Sequence, residues 1–181
     1  MTTRGSLLVA SPTMTDPNFA FTVIFMLEHD QEGALGVVLT RPSELPMVEL
    51  FDQWSQHAAA PAVVHRGGPV SPSSVISLAV ANGTATPTAF SPVTGRIGTI
   101  DLDAEPADIL GLQGIRAFGG YAGWSSGQLE AELHDDAWLV VEASAHDILH
   151  PEPDKLWWEV VGRQHGPITL LQHYPEEPWL N

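Results

Sequence analysis

A chain of 181 residues that is 44% hydrophobic and 16% charged has enough apolar content to bury a core and too little charge to stay disordered. Its seven Lys and Arg, scattered singly against 22 Asp and Glu for a net charge of −15, exclude a basic stripe that would grip DNA phosphates and disfavour an anionic membrane surface. The absence of cysteine excludes disulfides, thiolate nucleophiles and cysteine-type zinc sites.

The N-terminal segment has too few apolar residues before Ser11 for a signal-peptide core, and the longest apolar run, Phe19 to Leu27, is far short of a membrane helix. A soluble cytoplasmic protein is the expectation. Ser6 to Ala10 and Phe19 to Glu28 read as strands. The second places Phe19, Phe21, Val23, Phe25 and Leu27 on one face and Ile24 and Met26 on the other, so both faces are expected to be buried. Asp30-Gln31-Glu32-Gly33 is a turn, and Ala34 to Leu39 returns from it as the second arm of a hairpin.

Pro46 is suited to open a helix, with Met47, Leu50, Phe51 and Trp54 forming an apolar stripe at helical spacing. Ala62 to His65 and Val75 to Ala81 are expected strands around the Gly67-Gly68-Pro69 turn, and Asn82-Gly83 marks a reversal. Thr84 to Gly95, with two prolines, reads as a surface loop. Beyond it the pattern predicts a strand at Ile97 to Leu102, a helix at Glu105 to Leu110, and a strand at Ile115 to Tyr121. A helix at Gly127 to Leu133 and a strand at Ala137 to Glu142 follow. Leu156, Trp157, Val160 and Val161 give the last helix, after Pro153, and Ile168 to Leu171 a final strand. There is no internal repeat or linker, so residues 1–181 are expected to form a single domain.

Gly123-Trp124-Ser125-Ser126-Gly127 fits the G-x-S-x-G spacing of a hydrolase elbow, between an expected strand and an expected helix. His65-Arg66-Gly67-Gly68 is placed upstream like an oxyanion loop. Asp135, Asp136 or Asp147, then His150, His165 or His173, fall in hydrolase order. An elbow nevertheless needs a mostly parallel sheet, and short strands alternating with turns read as antiparallel or mixed. Ser125-x-x-Gln128 is also a capping box, so the expected role of Ser125 and Gln128 is to cap a helix rather than to attack a bond.

The stretch GGYAGWSSGQLEAEL with the following DDAWLVV resembles the signature of the YqgE/AlgH family, which carries Gly-Tyr-Ala-Gly-Trp, then Gly-Gln-Leu-Glu, then Ala-Trp-Leu. Residues 5–42 are similar to that family's N-terminal block, with Asp-Pro, Glu-His, Gly-x-x-Gly and Arg-Pro in order, and RGGPVSP is similar to its Gly-Gly-Pro-Val segment. The family's usual Asn-Arg-Pro is Thr40-Arg41-Pro42 here. The resemblance covers about residues 5–161, leaving 162–181 as a C-terminal extension. It implies an α+β fold, a bulged, coiled, largely antiparallel or mixed sheet flanked by helices. It implies no reaction and no catalytic residue. Members are described as uncharacterised proteins or as proposed transcriptional regulators.

His146-x-x-x-His150 has half of a zinc spacing but lacks the acid of a metalloprotease helix, so no metal and no cofactor is expected. Arg66-Gly67-Gly68-Pro69 lacks the Lys-Ser/Thr end of a phosphate-binding loop and reads as a tight turn. Arg41, Gly67, Gly68, Tyr121 and Trp124 are the candidate ligand-binding residues, a polar anchor beside two aromatics and close backbone. The leading reading is a non-enzymatic binding or regulatory domain with an unknown protein or small-molecule partner. The competing readings are an enzyme using Ser125, or Arg41 with Glu28 and His29, and a DNA-binding regulator that the charge disfavours.

Overall fold

The computed structural model describes residues 2–83, 89–106 and 111–164. Its frame is one strongly bulged, curled sheet of ten strands, antiparallel except for one parallel pair. The strands are β1 (Ser6–Ala10), β2 (Val23–Asp30), β3 (Gly33–Val38), β4 (Pro42–Pro46), β5 (Val63–Arg66), β6 (Val70–Ala81), β7 (Phe90–Thr94), β8 (Ile97–Ile100), β9 (Leu112–Ser125) and β10 (Trp138–Glu142). They run in the order β10-β1-β2-β3-β9-β6-β8-β7, with β4 and β5 attached through β9. The helices are α1 (Met47–Leu50), α2 (Gln128–His134), α3 (Ala145–Ile148) and α4 (Leu156–Gly162), with 3-10 turns at Asp52–His57 and Pro153–Lys155. This is the α+β architecture with a coiled, largely antiparallel sheet that the sequence leads one to expect. No helix among the described residues is long and apolar enough to cross a membrane.

Alternation along the strands divides the core. Leu7, Val9, Val23, Phe25, Phe118 and Val80 point to one face, where α3 and α4 close over them with Ile148, Trp157, Val160 and Val161. Leu8, Ala10, Ile24, Met26, Trp124 and Trp138 point to the other, under Leu129 of α2. A third cluster, with Met47, Trp54, Ile100 and Ile115, lies beneath α1 and the 3-10 turn that follows it. Burial on both faces is why β2 reads as an unbroken apolar run.

Three elements depart from expectation. Residues 19–21 do not belong to β2: Asp16 accepts the amides of Phe19 and Ala20, its Oδ1 accepts the amide of Asn18, and Phe21 has φ +55°. The resulting turn reverses the side Phe19 faces, so that it packs with Met14 under the second cluster. The stripe from Met47 to Trp54 is not one helix, because Phe51 leaves helical geometry at φ −136°, ψ 59°. Met47 and Trp54 are buried all the same, while Leu50 is exposed. The expected loop 84–95 contains β7, an edge strand paired with β8. Pro92 is tolerated there because an edge strand needs hydrogen-bond donors on one side only. Arg4 donates to the carbonyls of Val93 and Pro92 at 2.9 and 3.3 Å. Most of the expected helix 105–110 and all of the expected strand 168–171 lie outside the described residues.

The close crossing of Gly67 and Gly68 against β9 fixes the rest. The Gly67 amide donates to the Gly119 carbonyl at 2.8 Å, and Val38 donates to the Gly67 carbonyl at 2.8 Å. A Cβ on Gly67 would stand 2.2 Å from the Gly120 carbonyl oxygen, and one on Gly68, at φ +152°, 2.1 Å from the Tyr121 carbonyl carbon. Backbone cannot yield by that much, so Gly68→Ala should cost more than about 3 kcal/mol or abolish folding. Gly83, at φ +75° with nothing within 4 Å, should cost only about 1 kcal/mol as Gly83→Ala. Thermal or denaturant melts of the two variants give the comparison, and equal losses would refute the steric reading.

Candidate functional site

Ser125 is the exposed last residue of β9, opposite Gly33 in an antiparallel ladder. Its amide and its hydroxyl both donate to Oε1 of Gln128, at 3.1 and 3.2 Å. The helix that follows is capped by Gly127 in the left-handed region at φ +75°, without a side-chain cap. The expected capping box is therefore corrected: Gln128 reaches back as expected, but the Ser125 hydroxyl donates to Gln128 instead of accepting an amide from the first turn. Ser126 donates to the carbonyl of Gln31 at 2.7 Å, tying the helix entry to the β2–β3 turn.

None of the described triad partners reaches Ser125. Asp147 is fully buried, where it accepts from the amide and hydroxyl of Ser144 at 2.8 Å and forms a two-pronged ion pair with Arg163. Asp135 and Asp136 finish the turn after α2. His150 is bonded to Glu159 at 2.7 Å, and His165 and His173 lie outside the described residues. Arg41, Glu28 and His29 are not assembled either. Arg41 donates to the Ala20 carbonyl at 2.7 Å, whereas His29 bonds Thr3 and Glu130.

The five candidate ligand residues do not surround one cavity. Tyr121 packs on the face covered by α3 and α4, Trp124 on the opposite face. Gly67 and Gly68 are spent on the backbone crossing. The indole N–H of Trp124 and that of Trp138 both donate to Oε2 of Glu132 at 2.8 Å. A single carboxylate thus satisfies two large buried donors, and Gln128 steadies its other oxygen at 3.0 Å. Spacing alone did not expose this role for Glu132, because its partners come from β9 and β10.

Two histidines meet acids across the fold. His29 is buried; its Nδ1 accepts the Thr3 amide at 3.0 Å and lies 2.9 Å from the Thr3 hydroxyl, while its Nε2 lies 3.1 Å from Glu130. Those partners place the ring proton on Nε2, facing the acid. Contact with its own backbone amide and with His29 holds the exposed Glu130 carboxyl below the usual range. The pair lines a cavity of about 200 Å³ with Thr2, Asp30 and Gln31. Its members come from the Glu-His and Gln-Leu-Glu motifs, which the fold brings together.

A third ligand-type group, Glu159 of α4, stands beside His146 and His150: ligand atoms of all three lie within 4.8 Å of one another. The surrounding bonds argue against a metal there. Nδ1 of His150 accepts the Glu152 amide at 3.1 Å, which leaves its proton on Nε2, pointed at Glu159. A metal on Nε2 would force that proton onto Nδ1, against an N–H.

His65 and Arg116 are both 1% exposed. Burial, then the nearby Arg116 charge, lowers the His65 pKa to about 3. Burial lowers that of Arg116 to about 10, and its guanidinium donates to the carbonyls of His150 and Ala60 at 3.0 and 2.6 Å. Nε2 of His65 and Nε of Arg116 have no hydrogen-bond partner among the described residues.

The family model described as AlgH-like (DUF179) matches residues 7–169. A UPF0301 protein of Streptomyces coelicolor is 44% identical over 182 residues, covering 98% of this chain and 94% of that protein. One from Thermobifida fusca is 39% identical with the same coverage. A crystal structure of a Corynebacterium diphtheriae protein superposes with a TM-score of 0.91 at 28% identity, covering 96% of this chain and 93% of the other. The solution structure of the AlgH protein from Pseudomonas aeruginosa gives 0.66 at 30% identity, covering 96% and 94%.

Two measurements test these assignments. Glu132→Leu strands two indole donors and should cost about 2–4 kcal/mol, whereas Glu132→Gln, which keeps an acceptor oxygen, should recover at least half. Equal losses would contradict the shared-acceptor role. For His65 the folded pKa lies below the ordinary value of 6.5, so the unfolded chain binds the extra proton and stability is lost as pH falls from 6.5 toward about 3. His65→Leu should flatten the acid limb of stability against pH between roughly pH 6 and 4. An unchanged limb would show that His65 does not drive it.

Proposed function

The chain belongs to the AlgH-like family, and from that premise we propose that it acts by binding rather than by making or breaking bonds. Any regulatory role is then exerted through a protein or small ligand, not through direct contact with DNA. The observation that carries this reading is the state of the one hydroxyl that spells out a reaction. Ser125 is held by Gln128, with no imidazole or buried carboxylate bonded to it among the described residues. Other carboxylate and imidazole groups are engaged in holding the fold: Asp147 with Ser144 and Arg163, Glu132 with two indoles, His150 with Glu159. The net charge of −15 opposes the counterion release on which DNA affinity depends.

Two experiments test it. A fluorophosphonate probe should leave Ser125 unlabelled, and Ser125→Ala should change stability by less than about 0.5 kcal/mol, as exposed substitutions do. Duplex DNA titrated at low and moderate salt should show no tight, steeply salt-dependent binding. A phosphonyl adduct of the probe on Ser125, formed with loss of its fluoride, or DNA binding that weakens steeply with salt, would defeat the proposal.

A further inference from the structure

Basic side chains are scarce here, seven against 22 acids, and most of the described ones have an evident bond. Arg163 holds Asp147, Lys155 holds Glu152, Arg116 and Arg4 each hold two carbonyls, and Arg96 holds the Ala81 carbonyl. Arg66 is the exception: its exposed guanidinium has no hydrogen-bond or ion-pair partner among the described residues. Arg41 uses one of its donors, on the Ala20 carbonyl.

These two arginines are neighbours by construction. Pro42 pairs with His65 across the antiparallel β4–β5 ladder, and one step further along it the Arg66 amide donates to the Arg41 carbonyl at 2.8 Å. Directly opposite residues project to the same face of a sheet with their Cβ atoms about 5 Å apart, and like charges in that position repel. The Arg41 guanidinium is depressed by its burial and then by the Arg66 charge, with no acid acting on it in the opposite sense. No carboxylate of the described residues lies within 4.0 Å of either head group. The chain thus sets two of its few positive charges face to face, one of them half-buried, at a cost that a bound anion would reverse.

We propose that Arg41 and Arg66 form a fork for one oxyanion, the phosphate group of a small phosphorylated ligand. A carboxylate carries one negative charge and is neutralised by one arginine, whereas a phosphate monoester approaches two and offers three acceptor oxygens to two planar donor forks. The proposal rests on the reading of this domain as a binder and supplies the chemistry of what is bound. The same chemistry comes from inorganic phosphate or from a phosphate carried on a larger molecule, and the exposure of Arg66 leaves it open to either.

The test is calorimetric and thermal titration of the full chain in phosphate-free buffer. Inorganic phosphate and glycerol phosphate are the probes, with acetate at matched ionic strength as the carboxylate control. Saturable stabilisation by phosphate, and weaker or none by acetate, is expected. Tighter binding of glycerol phosphate would assign the site to an esterified phosphate, and equal or weaker binding to the free ion. Arg66→Gln should fold with undiminished stability in phosphate-free buffer and weaken phosphate by at least about tenfold, the loss of one charge-assisted pair. Arg41→Lys, which keeps the charge and removes the fork, should also weaken it, and Lys155→Gln should not. The proposal falls if phosphate shows no saturable effect, if Arg66→Gln binds like the parent, or if Arg66→Gln is itself destabilised in phosphate-free buffer. Those results would leave the probe-labelling and DNA experiments untouched, so this site can fail while the binding reading survives.

Discussion

The fold depends on one crossing, where the main chain at Gly67–Gly68 runs against the main chain of β9 with no space between them for a methyl group. β9 is the spine of the sheet, pairing with β3 near its end, β6 along its length and β5 at Phe118 and Gly119. β5 and β3 pair with successive stretches of β9, and where β5 ends the chain approaches β9 too closely for a side chain. The glycine pair makes that approach, and the Gly67 carbonyl accepting from Val38 locks β3 to the same point. Gly67 and Gly68, the glycines of the expected tight turn, are consumed in this contact. Its functional consequence is indirect: by fixing β5 against β9, it sets the position from which Arg66 faces Arg41.

Around that spine, polar groups that would be costly to bury alone are matched across distant segments. Glu132 accepts from two indoles, Trp157 donates to the Ala10 carbonyl at 2.9 Å, and Trp54 donates to the Leu102 carbonyl at 2.9 Å. Each bond joins an aromatic that supplies apolar area to a segment that would otherwise be free to shift. Carboxylates also serve as acceptors in such pairs, Glu132 for the two indoles and Asp147 for Ser144 and Arg163. Asp147 is the extreme case, fully buried and paired with Arg163 while also closing the capping box of α3.

Periodicity made the strands legible because both faces of the sheet are buried. The apolar pattern locates β1 to its ends, Ser6 and Ala10, and β2, β3, β5, β9 and β10 by their central residues. Illegible were features that depend on partners far along the chain. Pro92 in an edge strand looks like Pro92 in a loop until β8 is found beside it. The break at Phe51 is invisible to a helical stripe, since both ends of the stripe remain buried. The family motifs were visible as strings, but the bond between His29 and Glu130, 101 residues apart, exists only once β2 and α2 are placed side by side. Two of the candidate ligand residues are parted for a related reason: Tyr121 and Trp124 are three residues apart on a strand, and an odd separation sends two side chains to opposite faces.

The elbow shows how the same spacing carries different chemistry on different scaffolds. In a parallel sheet, a strand ending in G-x-S-x-G turns sharply into a helix and projects a strained serine above the sheet. Here the strand is antiparallel to β3, and Ser125 sits within the ladder, paired with Gly33. The turn comes two residues later, at Gly127, and that glycine takes the left-handed backbone conformation. Serine is relieved of the strain that would make it reactive, and Gln128 occupies its hydroxyl. The glycines of the motif serve backbone geometry in both cases. Which residue between them carries the unusual dihedral decides whether the hydroxyl is presented for chemistry or tied down.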